Sequence, residues 1–591
     1  MKSLLSLGKY FARYKLRILA GILFVIAANA FRTYNPKIVG QAIDEVVRFI
    51  QLQPRTDLVL EELSESGPLR KLFYFFITYL GIAILEGFFT FMMRQTIIVV
   101  SRYVEYDIKN DLYNHFQRLD TSFYKRNNTG DLMNRITEDV SRVRMFIGPA
   151  LMYSVNLFFT IAFAIFFMAN TNMQLTAVAL LPLPVLSVLI YFINDSIEKS
   201  ATLVQEKLSD LTTFAQQVFS GIRVIQSYAR ESDIIKNFEK EGKLYRAHNL
   251  SMAKIDAFYF PTMNLMIGLS LLITIYVGGL KVGNGEISAG NLAEFIMYVN
   301  MLMWPVSSLG WVASLVQRAA VSMGRINTLM NAQPLTGNTQ GIKKEIKGKI
   351  EFRNVSFVYP DSGLEALKNI SFTIQAGQRW AIVGPTGSGK TTLAELIMRM
   401  YDVSSGEILI DDINIKNWNL QDLRRQIGYV PQDVFLFSDT VEENIAFGLK
   451  NIEESQIKST ALQAAVNEDI ERFNKGYKTI IGERGVTLSG GQKQRLSLAR
   501  ALARNPKMLI LDDCLSAVDV TTEKRIQQQI MYASDGKTLL LITHRVHLLA
   551  EFDQILVMKS GAIIERGTHQ ELMNKNGLYA ALFHAQNMRR V

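Results

Sequence analysis

The sequence predicts two structural classes in one chain: an α-helical domain that crosses a membrane six times, followed by an α/β domain. Three observations support this prediction. Hydrophobic residues make up 49% of the 591 positions, and they are concentrated in the first half. Six stretches of that half are long enough to cross about 30 Å of hydrocarbon as a helix. Beyond the polar segment 331–348, short apolar strands alternate with helical patterns, which is typical of an α/β domain.

The apolar stretches and the charges between them predict the membrane topology. Asn170-Thr171-Asn172 joins the third stretch to the fourth and predicts a tight hairpin. Lys and Arg crowd the connections after the second and fourth stretches, whereas the first connection carries Asp57, Glu61, Glu62 and Glu65. Because cytoplasmic loops are the basic ones, the N-terminus, both long loops and the C-terminal half are expected on the cytoplasmic side of the inner membrane. The predicted spans are 17–42, 71–100, 147–170, 174–195, 258–280 and 291–317.

These patterns divide the chain into a transmembrane domain at 1–330, a linker at 331–348 and an α/β domain at 349–591. Three charged residues lie inside or near the spans, namely Arg32, Glu86 and Arg94. Charges at membrane depth are costly and usually face a cavity or a partner. We expect them either to line a pathway for a charged substrate, or to pair between helices and extend to the membrane edge.

Charge and cysteine content exclude several classes of protein. A net charge of +10 would suit nucleic acid, but the basic residues lie between and beside apolar stretches. That distribution is typical of loops that face anionic lipid. Contact with membrane lipids is therefore expected, and nucleic-acid binding is not. The single cysteine, Cys514, rules out an intrachain disulfide framework and a zinc cluster built on cysteines.

A glycine-rich loop lies between an apolar strand at 379–383 and a helical stretch at 391–400. Loops of this form direct backbone N–H groups and a helix N-terminus at a polyphosphate. Lys390 is expected to reach the outer phosphates, and Thr391 to hold Mg²⁺ through its hydroxyl. The apolar strand 509–511 would deliver Asp512 to the same ion. The candidate ATP-binding residues of the loop are Gly384, Pro385, Thr386, Gly387, Ser388, Gly389, Lys390, Thr391 and Thr392.

A second motif, Leu488-Ser489-Gly490-Gly491-Gln492, precedes a basic helical stretch at 493–504. It resembles the signature of ATP-binding-cassette (ABC) proteins, in which the signature of one subunit completes the ATP site of the other. The resemblance implies a dimer, and the helix N-terminus behind the motif suits a γ-phosphate across the interface. The residues expected to bind ATP in trans are Ser489, Gly490, Gly491 and Gln492.

Other positions match further motifs of the same family. The resemblance implies that Tyr359 stacks on adenine and that Gln432 senses Mg²⁺ and contacts the membrane domain. It also implies that His544 holds the γ-phosphate and the attacking water. Ser516-Ala517-Val518-Asp519 resembles the loop that links the two ATP sites, and Gly482-Glu483-Arg484-Gly485 resembles the cross-contact loop of exporters.

The two long basic loops resemble the intracellular loops of ABC exporters. Phe123 and Tyr124, ahead of Thr129-Gly130-Asp131-Leu132, would lie on a first coupling helix. Arg223, in the segment 221–225, would lie on a second coupling helix that reaches the nucleotide domain of the partner. Without the family motifs, a solvated helical hairpin would be the simpler interpretation of both loops.

The resemblance covers nearly the whole chain and has one departure. Family members that hydrolyse ATP rapidly generally place Glu after the magnesium aspartate, whereas this chain has Asp513. One methylene fewer withdraws the carboxylate by about 1.5 Å. A misplacement near 1 Å can cost about 100-fold in rate. A chain that combines an altered acid, Asp513, with an intact signature at Leu488–Gln492 resembles one subunit of heterodimeric exporters. The resemblance favours a heterodimer, and a homodimer remains open.

The expected fold is thus a six-span α-helical transmembrane domain followed by an α/β P-loop nucleotide-binding domain of ABC type. The expected function is ATP-driven export of amphipathic small molecules, drug-like compounds or lipids, by alternating access. ATP and Mg²⁺ are the expected cofactors, and a second half-transporter is the expected partner. The alternatives are a lipid or peptide flippase and an ATP-gated channel or regulatory subunit. The six spans disfavour a soluble ATPase that acts on DNA or ribosomes.

Overall fold

The computed structural model describes residues 2–52, 67–334, 340–449, 452–482, 485, 488–514 and 520–588. The chain forms two compact units. The first comprises Met1–Asn114 and Gly130–Asn331, and the second comprises His115–Thr129 and Ala332–Val591. The segment 115–129 was expected in the transmembrane domain but groups with the second unit. Part of the predicted linker, 335–339, lies outside the described residues, as do the four acids of the first connection.

The first unit is helical, and six of its helical segments are long and apolar enough to cross a membrane. The six predicted spans are thereby confirmed. The helices extend well past the ends of the predicted spans. For example, α13 has 42 residues and is about 60 Å long, whereas the predicted span was 291–317. Helices of this length project beyond a hydrocarbon layer about 30 Å thick. Up to the end of the first unit the helices are α1 Gly8–Leu52, α2 Gly67–Met93, α3 Val99–Phe116, α4 Thr121–Arg126, α5 Thr129–Asn134, α6 Val140–Met145, α7 Leu151–Thr171, α8 Met173–Leu180, α9 Pro182–Ser220, α10 Ile222–Ser227, α11 Glu231–Asp256, α12 Tyr259–Gly283 and α13 Ala289–Met330.

Local sequence explains two interruptions in these helices. A hairpin was expected at 170–172, but only Asn172 separates α7 from α8. Asn172 has an extended backbone, and its side chain caps α8 by accepting from the Leu175 amide. Pro182 begins α9, where its missing amide hydrogen costs nothing. Single π-helical turns at Arg94–Ile98, Arg135–Asp139 and Phe146–Ala150 join neighbouring α-helices elsewhere in the unit.

The second unit contains two sheets. A four-stranded antiparallel sheet has the order β2-β1-β4-β5, and a six-stranded sheet has the order β10-β9-β3-β8-β7-β6. The strands are β1 Ile350–Val358, β2 Glu365–Ile374, β3 Arg379–Val383, β4 Ser405–Ile410, β5 Ile413–Asn414, β6 Ile427–Val430, β7 Met508–Asp512, β8 Thr538–Ile542, β9 Gln554–Lys559 and β10 Ala562–Gly567. The helices are α14 Lys390–Ile397, α15 Leu420–Arg425, α16 Val441–Ala446, α17 Glu454–Gln463, α18 Asn467–Glu471, α19 Gly490–Ala503, α20 Val520–Ala533, α21 His569–Asn574 and α22 Leu578–Met588.

The parallel strands of the larger sheet position the functional residues. Strand β3 pairs in parallel with β8, and β8 pairs in parallel with β7. Both faces of β3 are buried, with Trp380 and Ile382 in one apolar core and Ala381 and Val383 in the other. Because parallel strands end at the same edge, the segments that follow β3, β7 and β8 meet there.

Candidate active site

One cavity of about 450 Å³ lies at the carboxyl edge of the larger sheet. The loop between β3 and α14, the end of β7 and the segment after β8 all line it. The cavity brings together most of the residues that the sequence singled out, namely Tyr359, Thr386, Gly387, Ser388, Gly389, Lys390, Thr391, Thr392, Gln432, Asp512, Asp513 and His544. The residues singled out in the sequence that do not line it are Gly384 and Pro385 of the loop, the signature residues Ser489–Gln492, and the coupling residues Phe123, Tyr124 and Arg223.

The glycine-rich loop needs its glycines for backbone reasons. Gly387 and Gly389 have φ of 79° and 94°, in the left-handed region that side chains disfavour. A Cβ on Gly389 would also lie 2.5 Å from the Ala366 carbonyl oxygen. Gly389 then caps α14, whose first residue is Lys390. The helix N-terminus therefore opens into the cavity, in the arrangement that suits a polyphosphate.

Lys390 lies buried under this loop. Its Nζ donates to the carbonyl oxygens of Gly384 and Pro385, at 2.9 and 2.8 Å. Burial lowers the pKa of the Lys390 ammonium, while the nearby Asp512 and Asp513 carboxylates act in the opposite direction. A longer contact of 3.5 Å to Ser388 Oγ completes the three contacts of Lys390 Nζ, and charged phosphate oxygens would be stronger partners than these neutral oxygens.

Asp512 ends β7 and is only 1% exposed. Burial raises the pKa of its carboxyl to about 6, and a hydrogen bond from the Thr391 hydroxyl opposes that shift. Its Oδ2 is buried and has no hydrogen-bond partner among the described residues. A buried carboxylate oxygen beside a hydroxyl fits Mg²⁺, which is usually held by one or two carboxylates plus substrate phosphates and water. Among the described residues, no group of three or more His, Cys, Asp or Glu could hold a metal.

The backbone of Asp513 is held on both sides. Its amide donates to the Ile542 carbonyl oxygen of β8 at 2.8 Å, and its own carbonyl oxygen accepts from Gln494 Nε2 at 3.2 Å. The residue adopts a left-handed backbone with φ of 48°. Aspartate tolerates this region better than most residues, because its short side chain can bond locally. Gln494 was not singled out in the sequence, because its contact with Asp513 depends on folding.

His544 follows β8 and is half-buried. Burial lowers the pKa of its imidazole, and the Lys390 ammonium lowers it further. Gln586 of α22 holds the backbone here, donating to the His544 carbonyl oxygen and accepting from the Val546 amide at 2.9 Å. The neutral ring can therefore accept a proton or a hydrogen bond in the cavity. No sequence signal identified Gln586, which lies 42 positions away.

Tyr359 is a half-buried wall of the cavity. Its hydroxyl lies 2.9 Å from Thr392 Oγ1 and donates to Glu395 Oε2 at 2.9 Å, which ties the ring to α14. Its ring packs edge-on against Tyr401 at 5.4 Å between centroids. The Lys125 ammonium lies 5.1 Å from the centre of the Tyr359 ring. Burial raises the pKa of the Tyr359 phenol, so the hydroxyl stays protonated.

The signature turn caps α19 with a reciprocal capping box. Ser489 Oγ accepts from the Gln492 amide at 3.3 Å, and Gln492 Oε1 accepts from the Ser489 amide at 3.0 Å. Gln492 Nε2 also donates to Asp469 Oδ1 at 3.0 Å, which holds the turn against α18. Ser489 and Gly490 are exposed. The 14-residue helix thus presents a preorganised N-terminus on the surface of the second unit.

Helices form at both places where coupling residues were expected. Phe123 and Tyr124 lie on α4, where Phe123 is buried and the Tyr124 hydroxyl donates to the Phe116 carbonyl oxygen at 2.6 Å. Arg223 lies on α10 in the first unit and is exposed. Within the second unit, Lys125 of α4 contacts Tyr359 and Tyr401, which explains why 115–129 groups with that unit.

Two motifs fall wholly or partly outside the described residues. The segment Ser516-Ala517-Val518-Asp519, expected to link the ATP sites, is not described. Of Gly482-Glu483-Arg484-Gly485, only the two glycines are described, and Gly485 has φ of 66°. Both motifs remain predictions.

A helical unit with six possible spans, joined to a unit with a phosphate loop, two acids, a histidine and a signature helix, defines a membrane transporter driven by ATP. The chain belongs to the ABC transporter family. Residues 18–306 match the family model of the ABC transporter transmembrane region, and residues 367–516 match the family model described as ABC transporter.

The relatives span the full chain. The probable multidrug resistance ABC transporter ATP-binding/permease protein YheI of Bacillus subtilis is 35% identical, over 99% of this chain and 97% of its own. The multidrug resistance-like ATP-binding protein MdlA of Escherichia coli is 33% identical, over 100% of this chain and 97% of its own. A bacterial Atm1-family ABC exporter solved with ATP bound shares the fold, with 24% identity, a TM-score of 0.78 and coverage of 96% and 99%.

The chain is therefore an ABC exporter half-transporter and an ATPase. It is an integral, multi-pass membrane protein whose ATP-binding domain is cytoplasmic. Export is driven by ATP, and ABC exporters generally function as dimers.

Proposed function

We propose that this chain is the slow-site subunit of a heterodimeric exporter of amphipathic small molecules. One observation carries the proposal. The same chain has Asp513 at the position of the usual glutamate and an intact, exposed signature turn at Ser489–Gln492. The proposed transmembrane domain is 1–330 and the proposed ATP-binding domain is 349–591, joined by the linker 331–348.

The chain's own ATP site is proposed to bind nucleotide well. Tyr359 offers its ring to adenine, and residues 384–392 hold the phosphates, with Lys390 exchanging its loop carbonyls for phosphate oxygens. Thr391, Asp512 and, from the cavity rim, Gln432 would hold Mg²⁺. When bound, Mg²⁺ neutralises phosphate charge at the bond that breaks. Nucleotide binding does not require a carboxylate to reach the attacking water. The shorter side chain of Asp513 should therefore leave ATP binding intact.

Hydrolysis at the same site is proposed to be slow. A carboxylate that acts as a general base must lie within hydrogen-bond reach of the attacking water, about 2.6–3.2 Å. The backbone of Asp513 is fixed by Ile542 and Gln494, so it cannot move forward to offset the shorter side chain. His544, with a lowered pKa, is able to hold the γ-phosphate and the water as a neutral ring. Asp513 then polarises that water less effectively than a longer acid would.

The signature turn is proposed to complete the site of the other subunit. The capping box fixes the Ser489 backbone, and Gly490 and Gly491 leave room for a phosphate oxygen to approach the first amides of α19. The partial positive charge at a helix N-terminus favours an anion there. Gln492 is already bonded to Asp469, so its role is to hold the turn in place.

Two short helices are proposed to transmit nucleotide state to the membrane domain. On α4, Phe123 and Tyr124 anchor the helix and Lys125 reaches the ring offered to adenine. On α10, Arg223 lies among exposed apolar side chains, including Val224 at 61% and Tyr228 at 76%. An exposed apolar helix with one cation suits docking onto the nucleotide domain of the partner.

The proposed cargo is a drug-like amphipath or a lipid. The relatives named above are described as multidrug resistance proteins, which supports this class for the present chain. A cargo of this kind suits transmembrane helices that carry a few polar groups among apolar ones.

To test the proposal, the chain is purified in two forms. One sample contains the chain alone, and the other contains it with the half-transporter that copurifies from its native membrane. ATPase activity and ATP-dependent uptake of a fluorescent amphipath into inside-out vesicles are measured for both samples. We expect the pair to hydrolyse ATP at least about 10-fold faster per site than the chain alone, and only the pair to transport. Equal specific activity in the two samples would overturn the heterodimer.

A further inference from the structure

We infer that a polar cavity among α1, α2 and α7 binds the anionic head of the transported amphipath, an inference that rests on the proposed export of amphipaths. The cavity has a volume of about 140 Å³, and Arg32, Glu86, Arg94, Tyr153 and Asn156 line it. A site for a whole drug-sized molecule usually occupies about 300–1,000 Å³. The cavity therefore suits one carboxylate, sulfonate or phosphate group of a larger ligand.

The cavity carries more positive than negative charge. Arg32 Nε lies 3.8 Å from Glu86 Oε1, which is a loose ion pair. Arg94 forms no ion pair with any residue that the structure describes. Arginine carries a permanent positive charge, so the exposed Arg94 brings to the cavity a charge with no counter-ion among the described residues. Charges within membrane-spanning segments are costly and usually mark functional sites, and an anion would neutralise this one.

Hydrogen bonds between α1 and α7 leave one further donor at the cavity. Thr160 Oγ1 donates to Asn29 Oδ1 at 2.5 Å, and Asn29 Nδ2 donates to Asn156 Oδ1 at 2.9 Å. These two hydrogen bonds fix the side-chain amide of Asn156, whose oxygen already accepts from Asn29. Its nitrogen makes no hydrogen bond within the described part of the chain, so it can donate into the cavity. Two guanidinium groups and one amide nitrogen together favour an acceptor ligand.

Backbone geometry holds Arg94 in place. Arg94 is the first residue of the π-helical turn Arg94–Ile98, and such turns occur frequently at functional sites. The Thr96 hydroxyl donates to the Met92 and Met93 carbonyl oxygens, both at 2.9 Å, within the turn. Helix α1 packs tightly against it, because a Cβ on Gly21 would lie 2.5 Å from Ile97 Cγ1. The turn therefore fixes the backbone position of Arg94, whose side chain is exposed.

An aromatic surface adjoins the polar cavity and suits the body of such a ligand. The Tyr153 ring lies 5.4 Å from both the Trp304 and the Trp311 ring centroids. Trp304 and Trp311 are 51% and 41% exposed. Tyr153 belongs both to this aromatic group and to the lining of the polar cavity. The aromatic surface therefore lies next to the cavity that Arg32 and Arg94 line. The ligand class is thus an amphipath with an apolar or aromatic body and an anionic head, a chemistry that an anionic lipid shares.

The test uses the full-length chain with its copurified half-transporter in phosphatidylcholine proteoliposomes. Two probes share one ring system and differ in the head: 1-pyrenebutyrate and 4-(1-pyrenyl)butyl-trimethylammonium. Stimulation of ATPase and ATP-dependent movement of each probe are measured. We expect Arg94→Gln to raise the half-maximal concentration of pyrenebutyrate by about 10-fold or more, and Arg94→Lys to restore most of the loss. The ammonium probe should not respond to either change.

A gain of affinity guards against misfolding as an explanation. Glu86→Gln releases Arg32 from its carboxylate and is expected to lower the half-maximal concentration of pyrenebutyrate. The matched control is Arg102→Gln, which removes an exposed cation that pairs with Glu105 on α3, outside the cavity. It should change neither probe. In vesicles that contain phosphatidylglycerol, competition with pyrenebutyrate in the wild type but not in Arg94→Gln identifies a lipid phosphate as an occupant of the same site.

The outcomes separate this inference from the export function. If the ammonium probe is transported and pyrenebutyrate is not, export stands and the anion site is wrong. The site is also wrong if Arg94→Gln and Glu86→Gln change both probes alike or change neither. If the wild type moves no amphipath at all, the export function itself fails.

Discussion

Gln494 donates through Nε2 to the backbone carbonyl oxygen of Asp513 at 3.2 Å. The glutamine is buried on α19, the helix that begins at the signature turn, and the aspartate follows β7 in the chain's own ATP site. One hydrogen bond therefore joins the part of the chain that serves the partner to the acid that serves its own nucleotide.

Gln494→Leu tests this link. The change removes the hydrogen bond that Gln494 donates to the Asp513 carbonyl oxygen, at a cost of about 1–2 kcal/mol. In a domain of this size we expect the unfolding temperature of the purified protein to fall by about 2–8 °C. Gln528→Leu, at an exposed position of α20, is the control and should leave the temperature unchanged. The same temperature for both variants would contradict the role of this bond.

Lys390→Ala is expected to weaken ATP binding at the chain's own site. The ammonium would lose its charge-assisted bonds to phosphate, so the affinity should fall by about 10- to 100-fold. Titration with a fluorescent ATP analogue measures the effect. Lys458→Ala removes an exposed cation that pairs with Glu454 and should bind normally. Unchanged affinity in Lys390→Ala would exclude this loop as the phosphate site.

Cys514 is expected to be inert. Burial raises the pKa of its thiol to about 12, and the residue is 4% exposed. A raised thiol pKa reduces the reactive thiolate, to about one part in 10⁴ at pH 8. Labelling by N-ethylmaleimide should therefore be negligible in the folded protein at pH 8 and should grow about 10-fold for each unit of rising pH. Denaturation should expose it at once, and rapid labelling of the folded protein at pH 8 would contradict its burial.

Lys125→Gln is expected to reduce transport more than ATP hydrolysis. The variant removes the cation that α4 places over the rings of Tyr359 and Tyr401, at 5.1 and 5.2 Å. We expect the number of molecules moved per ATP hydrolysed to fall several-fold, because a cation–π contact contributes about 0.5–2 kcal/mol. Lys125→Arg keeps the cation and should restore the ratio. A ratio that stays at the wild-type value in Lys125→Gln would remove this residue from the coupling path.

Asp513→Glu should raise turnover at the chain's own site. The added methylene extends the carboxylate by about 1.5 Å, which is expected to recover about 10- to 100-fold in rate. Glutamate tolerates the left-handed backbone at φ of 48° less well, so a small loss of stability should accompany the gain. Single-turnover hydrolysis measures the site directly. Little or no increase would show that side-chain length does not limit the reaction.

The parts of the site that depend on local order could be predicted from the sequence. Strand, glycine loop and helix follow each other around Lys390, and the apolar strand before Asp512 is visible as a run of residues. The six spans follow from hydrophobic length alone. Each of these patterns is contained in a few dozen neighbouring residues.

Contacts between distant residues could not be predicted in the same way. Gln586 reaches the His544 backbone from the last helix, and Gln494 reaches Asp513 across a helix and a strand. The sequence carried no signal for the left-handed backbone at Asp513 or for the π turn at Arg94. The sequence also left two interpretations of Arg32, Glu86 and Arg94 open, and folding shows that the first two pair while all three line one cavity.

The most direct test of the central claim compares Asp513→Asn with Ser489→Arg in the same purified dimer. The first change disables the acid of the chain's own site, and the second blocks the helix N-terminus proposed to complete the partner's site. Substrate-stimulated ATPase is measured for each. We predict that Asp513→Asn retains most of the activity, within about twofold of the wild type, whereas Ser489→Arg loses about 100-fold or more. Equal losses in the two variants, or a larger loss in Asp513→Asn, would contradict a chain that hydrolyses slowly at its own site and completes the fast site of its partner.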